Sequence, residues 1–144
     1  RTAKTVHVWE GCCPIHDRLT VEDVHTARAA HPQALFMAHP ECPPEVLELA
    51  DVITSTSGML RYVADSERET FLVGTEVGLL HPLRRNNPDK RFFPVSEKMR
   101  CEDMKKIRLE DVLRSLKGME GRVAVPEEIR RPAFEAVKRM VDLA

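Results

Sequence analysis

Ala34-Leu35-Phe36-Met37-Ala38-His39-Pro40-Glu41-Cys42-Pro43-Pro44 is the stretch that decides how this chain folds. Five apolar residues run without a polar interruption, as in a strand buried on both faces. Pro40, Pro43 and Pro44 then block a helix or a continuing ladder. His39, Glu41 and Cys42 place an imidazole, a carboxylate and a thiol within four residues. A buried strand that stops and at once presents reactive groups is how an open α/β sheet builds a site at its carboxyl edge. The plain alternative is a strand end with a chance His and Glu in a polar turn.

Upstream, Thr5-Val6-His7-Val8-Trp9 reads as a strand, being β-branched and aromatic. It runs into a loop, Glu10-Gly11-Cys12-Cys13-Pro14-Ile15-His16. Thr20 with Asp23 marks a helix start in the manner of a capping box. Val21, Val24, Ala27 and Ala30 share one side of that helix, and His31-Pro32 ends it. Downstream, the pattern predicts a short helix over 45–50, a brief strand at Val52-Ile53, and a helix near 59–64 after Thr54-Ser55-Thr56-Ser57-Gly58. A strand at 70–73 leads into Gly74-Thr75-Glu76, and residues 83–89 read as a polar, basic loop. Residues 91–95 read as a short strand whose place in a ladder Pro94 limits. The spacing of Leu109, Val112, Leu113 and Leu116 predicts a helix over 109–117. A strand at 122–125 and a last helix opened by Pro132 complete the reading.

Strand, reactive loop and helix thus alternate about four times. The expected fold is α/β, with Rossmann-like three-layer α/β/α units, parallel sheets and right-handed crossovers. The basic loop is the expected boundary between residues 1–83, carrying most of the reactive loops, and residues 84–144, carrying Cys101 and the terminal helices.

The 144 residues include 22 basic and 23 acidic side chains, for a net charge of −1. That balance points to neither nucleic acid nor an anionic membrane as partner. With no apolar run of transmembrane length and no leader-like segment, a cytoplasmic location is expected. Arg1 in the first position, with a strand-like segment following at once, is the mark of a trimmed or partial chain. The four cysteines, Cys12, Cys13, Cys42 and Cys101, form neither a disulfide framework nor the paired spacing of a structural zinc site. They are either thiols open to a metal or small buried hydrophobes. Thiols converging from separate loops would suit an iron–sulfur cluster better than a zinc knuckle.

Three loops on the inferred carboxyl edge hold the reactive groups: Cys12, Cys13 and His16; His39 and Glu41; and Ser55, Thr56 and Ser57. The hydroxyls either cap a helix or help its free N–H groups bind an anion. Glu76 either faces the same crevice or caps a helix with its charge. Arg84, Arg85, Lys90 and Arg91 read as a solvated face.

Six motifs in order resemble the quinolinate synthase family. They are Trp9-x-Gly11-x-Cys13-x-x-His16, His39-Pro40-Glu41-Cys42-Pro43, Ala50-Asp51 with Ser55-Thr56-Ser57, Gly74-Thr75-Glu76-x-Gly78-Leu79, Pro88-x-Lys90-x-Phe92, and Cys101-x-x-Met104-Lys105. The resemblance implies three similar α/β units around a pseudo-threefold axis, of which this chain would be about the C-terminal half, one full unit and part of another. It implies an iron–sulfur enzyme of NAD (pyridine nucleotide) biosynthesis, a transferase that condenses iminoaspartate with dihydroxyacetone phosphate to give quinolinate. A [4Fe–4S] cluster held by three cysteines would serve as Lewis acid. Cys13 and Cys101 match two ligands, and the third would lie in an N-terminal half not present in this chain. His39 and Glu41 match substrate-contacting catalytic positions, Ser55 and Thr56 a substrate-binding helix start, and His16 a substrate-binding position close to the cluster. L-Aspartate oxidase is an implied functional link. Cys42 becomes a bystander under this reading.

Thr54 departs from the family pattern, which usually has Gly there. On the resemblance, the chain by itself is expected neither to hold an intact cluster nor to turn over. A thiol-based metal-binding or redox α/β module without synthase activity is the competing reading, and a non-catalytic α/β binder that keeps only the anion site is a third.

Overall fold

A computed structural model describes residues 5–7 and 10–143. Contacts divide the chain into two compact units, residues 1–102 and residues 103–144.

In the first unit, the apolar run becomes strand β1 (Leu35–Ala38), followed in order by β2 (Val52–Ile53), β3 (Thr70–Gly74) and β4 (Arg91–Pro94). All four are parallel, in the order β2-β1-β3-β4. The central pair is aligned as Leu35↔Phe71 through Ala38↔Gly74. Successive side chains of a strand point to opposite faces, so a doubly buried strand feeds two cores. Phe36, Ala38 and Leu72 pack with Val24 and Ala27 of helix α1 (Val21–Ala30) and Val46 of α2 (Pro44–Leu47). Met37, Phe71 and Val73 pack on the other face with Met59 and Val63 of α3 (Thr56–Asp65) and Leu80 and Leu83 of α4 (Leu80–Asn86). The result is the expected α/β/α sandwich around a parallel sheet. Removing one large side chain from either layer, such as Phe36 or Phe71, would cost about 3–5 kcal/mol.

Local signals account for most boundaries. Thr20 caps α1 with a complete capping box: its Oγ1 accepts from Asp23 N–H, and Asp23 Oδ2 accepts from Thr20 N–H. His31 ends that helix. Asp51 Oδ2 accepts from the Phe36 N–H at 2.8 Å and from Arg28 at 3.1 Å, tying α1 to the start of β1.

Several expectations are corrected. The segment read as a basic loop is largely helix α4, because Leu80 and Leu83 sit three residues apart and are both buried. Pro82 falls in its first turn, where a missing N–H is tolerated. Three of the basic residues also fasten neighbouring elements: Arg84 donates to Phe92 O, Lys90 to Val63 O and Ser66 O at the end of α3, and Arg91 to the Thr70 hydroxyl, while Arg84 and Arg91 stay exposed. The boundary expected at 83/84 therefore runs through α4, and the first unit continues through Glu102, since β4 pairs with β3. Pro94 ends β4, which lies at the sheet edge, where its missing N–H breaks no inner ladder. Of the strand expected at 5–9, Val8 and Trp9 lie outside the described residues, and residues 5–7 are irregular.

The second unit contains α5 (Leu109–Gly118) and α6 (Glu127–Asp142). Residues 122–125 are irregular and exposed instead of forming a strand; among the described residues they have no partner to pair with. Pro132 lies inside α6 rather than opening it. The helix starts five residues earlier than expected, after Pro126, whose carbonyl accepts from Ile129 and Arg130. The apolar residues of both helices, including Leu109, Leu116, Phe134 and Val141, are exposed. Among the described residues no helix is long and apolar enough to cross a membrane.

Candidate functional site

Parallel strands deliver their next residues to one edge of the sheet. His39 follows β1, Thr54 and Ser55 follow β2, and Thr75 and Glu76 follow β3. The edge is stitched by His39 N–H to Gly74 O at 3.0 Å and Thr54 N–H to Ala38 O at 3.1 Å.

The loop bearing Cys13 and His16 is folded against this edge. Asp17 N–H donates to Cys13 O and Leu19 N–H to His16 O, closing a turn that brings positions 13 and 16 to the same side. Ile15 and Leu19 anchor the turn in the core. His16 is buried, with 7% of its surface exposed. Its Nε2 is 2.9 Å from the hydroxyl of Thr75, itself buried at the end of β3. Its ring stacks on His39 at 4.4 Å between centroids, 14° from parallel. Its Nδ1 lies 3.1 Å from Glu41 Oε2 and has no aligned hydrogen-bond partner among the described residues. Burial, then the neighbouring His39, lower the His16 pKa from its usual 6.5, with Glu41 opposing more weakly. His16 is therefore a neutral imidazole at pH 7.

Pro40 forces a tight turn after β1, closed by Cys42 N–H to His39 O. Within it, Glu41 N–H donates to His39 Nδ1 at 3.3 Å, which leaves Nε2 of His39 to carry its proton. Glu41 Oε2 sits 3.5 Å from His39 Nδ1, and its side chain is about half exposed. Glu41 thus touches both imidazoles and still faces an open hollow of about 480 Å³ lined by Gly11, Cys12, Cys13 and Glu41. Ligand atoms of Cys13, His16 and Glu41 all lie within 4.8 Å of one another.

The four thiols differ sharply. Cys13 and Cys101 are half-buried and both pack against the same core layer. Cys42 is sealed, its Sγ donating to Gly74 O at 3.5 Å, and burial pushes its pKa up to about 11. A thiol held that firmly protonated makes a poor ligand. Cys12 is exposed, and the carboxylate of Asp17 pushes its pKa up. Cys101 is placed by its backbone: its N–H donates to Glu76 Oε1 at 3.2 Å, while Glu76 Oε2 accepts from Gly78 N–H at 2.7 Å.

Ser55 caps α3, its Oγ accepting from Gly58 N–H. Ser55 and Thr56 lie on the same carboxyl edge, beyond β2, and among the described residues make no hydrogen bond to His16, His39 or Glu41. The structure thus brings Cys13, His16, His39 and Glu41 into one cluster and leaves Cys101, Ser55 and Thr56 at separate points of the edge. Thr75 was missed as a site residue. Its only signal in the sequence is its place between Gly74 and Glu76 at a strand end, and its partner His16 is 59 residues away. A hollow of about 620 Å³ in the second unit, lined by Lys106, Ile107, Val112 and Leu116 among others, gathers no comparable set of reactive groups.

Known proteins extend this picture. The family model described as quinolinate synthetase A protein matches residues 1–142. The quinolinate synthase of Thermodesulfovibrio yellowstonii is 48% identical over 140 residues, covering 97% of this chain and 46% of its own length. That of Methanosarcina barkeri is 48% identical over 141 residues, covering 98% and 46%. That of Geotalea uraniireducens is 47% identical over 140 residues, covering 97% and 46%. The chain spans about half the length of the curated relatives it matches. The order of its motifs, its parallel sheet and a family match over nearly every residue agree, and the chain belongs to the quinolinate synthetase A protein family.

Proposed function

We propose that this chain supplies about half of a quinolinate synthase, which condenses iminoaspartate with dihydroxyacetone phosphate to quinolinate, losing phosphate and water, in NAD biosynthesis. The observation that carries the reading is the family match over residues 1–142. The half-length coverage of the relatives supports a site completed by a further segment. A reaction class that oxidises L-aspartate would supply the unstable imine, and the cytoplasm is the fitting location.

A [4Fe–4S] cluster fits the thiols of this chain in kind. Cys13 opens into a hollow beside Glu41, Cys101 is half-buried on the same core layer, and Cys42 is withdrawn by burial. Cys13 and Cys101 would hold the cluster with a third cysteine from the remaining segment. Bound there, the cluster would supply a Lewis acid at its open iron. The rest of the chemistry falls to side chains of this chain. Glu41, half exposed and touching both imidazoles, is the proton acceptor for imine–enamine exchange and dehydration. His39, whose Nδ1 accepts from Glu41 N–H and whose proton is therefore on Nε2, returns a proton to the leaving hydroxyl. His16 stays neutral and holds the ring stack in place. The Ser55 hydroxyl accepts from Gly58 N–H and keeps its O–H to donate, so Ser55, Thr56 and the free N–H groups of that helix start take the substrate carboxylate or phosphate.

The test is anaerobic reconstitution of the complete polypeptide with iron and sulfide, followed by assay of quinolinate. Activity with both substrates is expected, lost in Cys13→Ser and in Cys101→Ser. Full turnover by these 144 residues alone would refute the half-site reading. A zinc-loaded or sulfide-free but active protein would refute the cluster.

A further inference from the structure

Glu76 is a carboxylate two residues beyond the end of β3, with 8% of its surface exposed. A buried carboxylate needs hydrogen-bond donors to offset its lost hydration. Its Oε2 takes the Gly78 N–H at 2.7 Å and caps the short turn that begins there. One oxygen is enough for that cap. The other, Oε1, takes the Cys101 N–H, 25 residues along the chain, at 3.2 Å. Beside it, the Val77 N–H donates to the Met99 carbonyl at 2.9 Å, and Met99 is itself buried. Residues 76–77 and 99–101 are thus fastened twice. From these contacts we infer that Glu76 is a positioning residue for Cys101, fixing the backbone from which that thiol reaches the proposed cluster. The inference rests on the cluster reading above and adds a residue which that reading does not use.

The shortness of a cysteine side chain makes backbone placement decisive. Sγ stands one rotatable bond from the main chain, so three staggered rotamers are its whole choice of direction. A longer ligand can swing to meet a metal. A cysteine meets it only where its Cα–Cβ bond already points. An N–H bound to a fixed acceptor restrains the backbone at residue 101 and with it that direction. Cys101 also stands one residue before the end of the first unit at Glu102, so within that unit almost no chain follows to hold it.

The preceding residue, Thr75, meets His16 in the turn that carries Cys13. Two successive residues at the end of the central strand therefore reach both thiol-bearing segments. A strand end fixed in a packed sheet is a rigid reference for two ligands that must keep a set spacing.

The test separates the tether from the cap with one substitution. Glu76→Asp removes a methylene and draws the carboxylate back by about 1.5 Å. Aspartate still accepts from the N–H two residues on, so Gly78 stays capped. It no longer reaches Cys101. In the complete polypeptide without metal, the Cys101 amide should be protected from hydrogen exchange. In Glu76→Asp it should exchange about 10-fold faster or more, while the urea midpoint stays at the wild-type value. After anaerobic reconstitution with iron and sulfide, Glu76→Asp should lose its cluster to an iron chelator about 10-fold faster or more, read by the decay of visible absorption. An unprotected Cys101 amide in the wild type overturns the inference without any variant, and so does equal exchange in the two proteins. A wild type that takes up no sulfide-bearing cluster defeats the cluster reading and the inference with it. A wild-type cluster that Glu76→Asp loses no faster defeats the inference alone and leaves the cluster reading standing.

Discussion

Glu76 accepts a hydrogen bond from the backbone N–H of Cys101, 25 residues further along the chain, at 3.2 Å. The same carboxylate caps the short 3₁₀ turn at Val77–Leu79 through Gly78 N–H. One buried carboxylate thus fastens the end of the central strand β3 to the segment that carries the Cys101 thiol.

Loss of this clamp should loosen Cys101 before anything else. Hydrogen bonds to charged groups contribute about 1.5–3 kcal/mol each. Glu76→Ala should destabilise the first unit by about 2 kcal/mol or more in urea unfolding, and Glu76→Gln by less, since one oxygen still accepts. Alkylation of Cys101 in the native protein should quicken in Glu76→Ala. Unchanged alkylation would show that the segment is held by other contacts.

The depressed His16 pKa sets a pH dependence with a definite sign. Its usual value is 6.5, and the folded protein lowers it. Below about pH 6.5 the unfolded chain binds a proton that the native state resists, so stability falls as pH drops through that value. The fall continues until the folded His16 itself titrates. Asp23, held low mainly by the Thr20 hydroxyl and N–H against an opposing burial effect, titrates in a separate, more acidic window. Denaturant midpoints for wild type and His16→Asn between pH 5 and 8 should converge toward the acid side. Parallel curves would remove His16 as the cause.

Thr54 and Gly58 should behave as a coupled pair. A Cβ added at Gly58 would stand 1.9 Å from Thr54 Oγ1, an overlap the short threonine side chain cannot relieve by bending. Gly58→Ala should cost about 1–3 kcal/mol. In a Thr54→Gly background the same change should cost far less, giving a favourable coupling energy in a double-mutant cycle. Additive effects would mean that the backbone, not the side chain, resists the methyl group.

Cys42 should act as a core residue and nothing more. Its pKa near 11 and its contact with Gly74 O predict slow alkylation at pH 8 in the native protein, with Cys13 reacting first. Cys42→Ala should lower stability by about 1 kcal/mol and leave metal or cluster content unchanged. Loss of bound metal as complete as in Cys13→Ser would reverse the assignment.

The parallel α/β fold was legible in the chain because its signals are local. An uninterrupted apolar run at 34–38, prolines at its end and a capping pair at Thr20 and Asp23 each act within a few residues. So was the placement of His39 and Glu41 at a strand's carboxyl end. Residues 83–86 read as loop because arginine and asparagine dominate there, yet the burial of Leu80 and Leu83 outweighs that composition and makes them part of α4. Residues 122–125 look β-prone but lack a partner strand among the described residues, and propensity without pairing makes no sheet. Pairings across long separations were beyond the sequence altogether: His16 with Thr75, His16 with His39 and Glu41, and Glu76 with Cys101. Which thiol is open and which is sealed was likewise decided only in three dimensions. Burial depends on what the parallel sheet stacks above each residue, and no spacing along the chain encodes that.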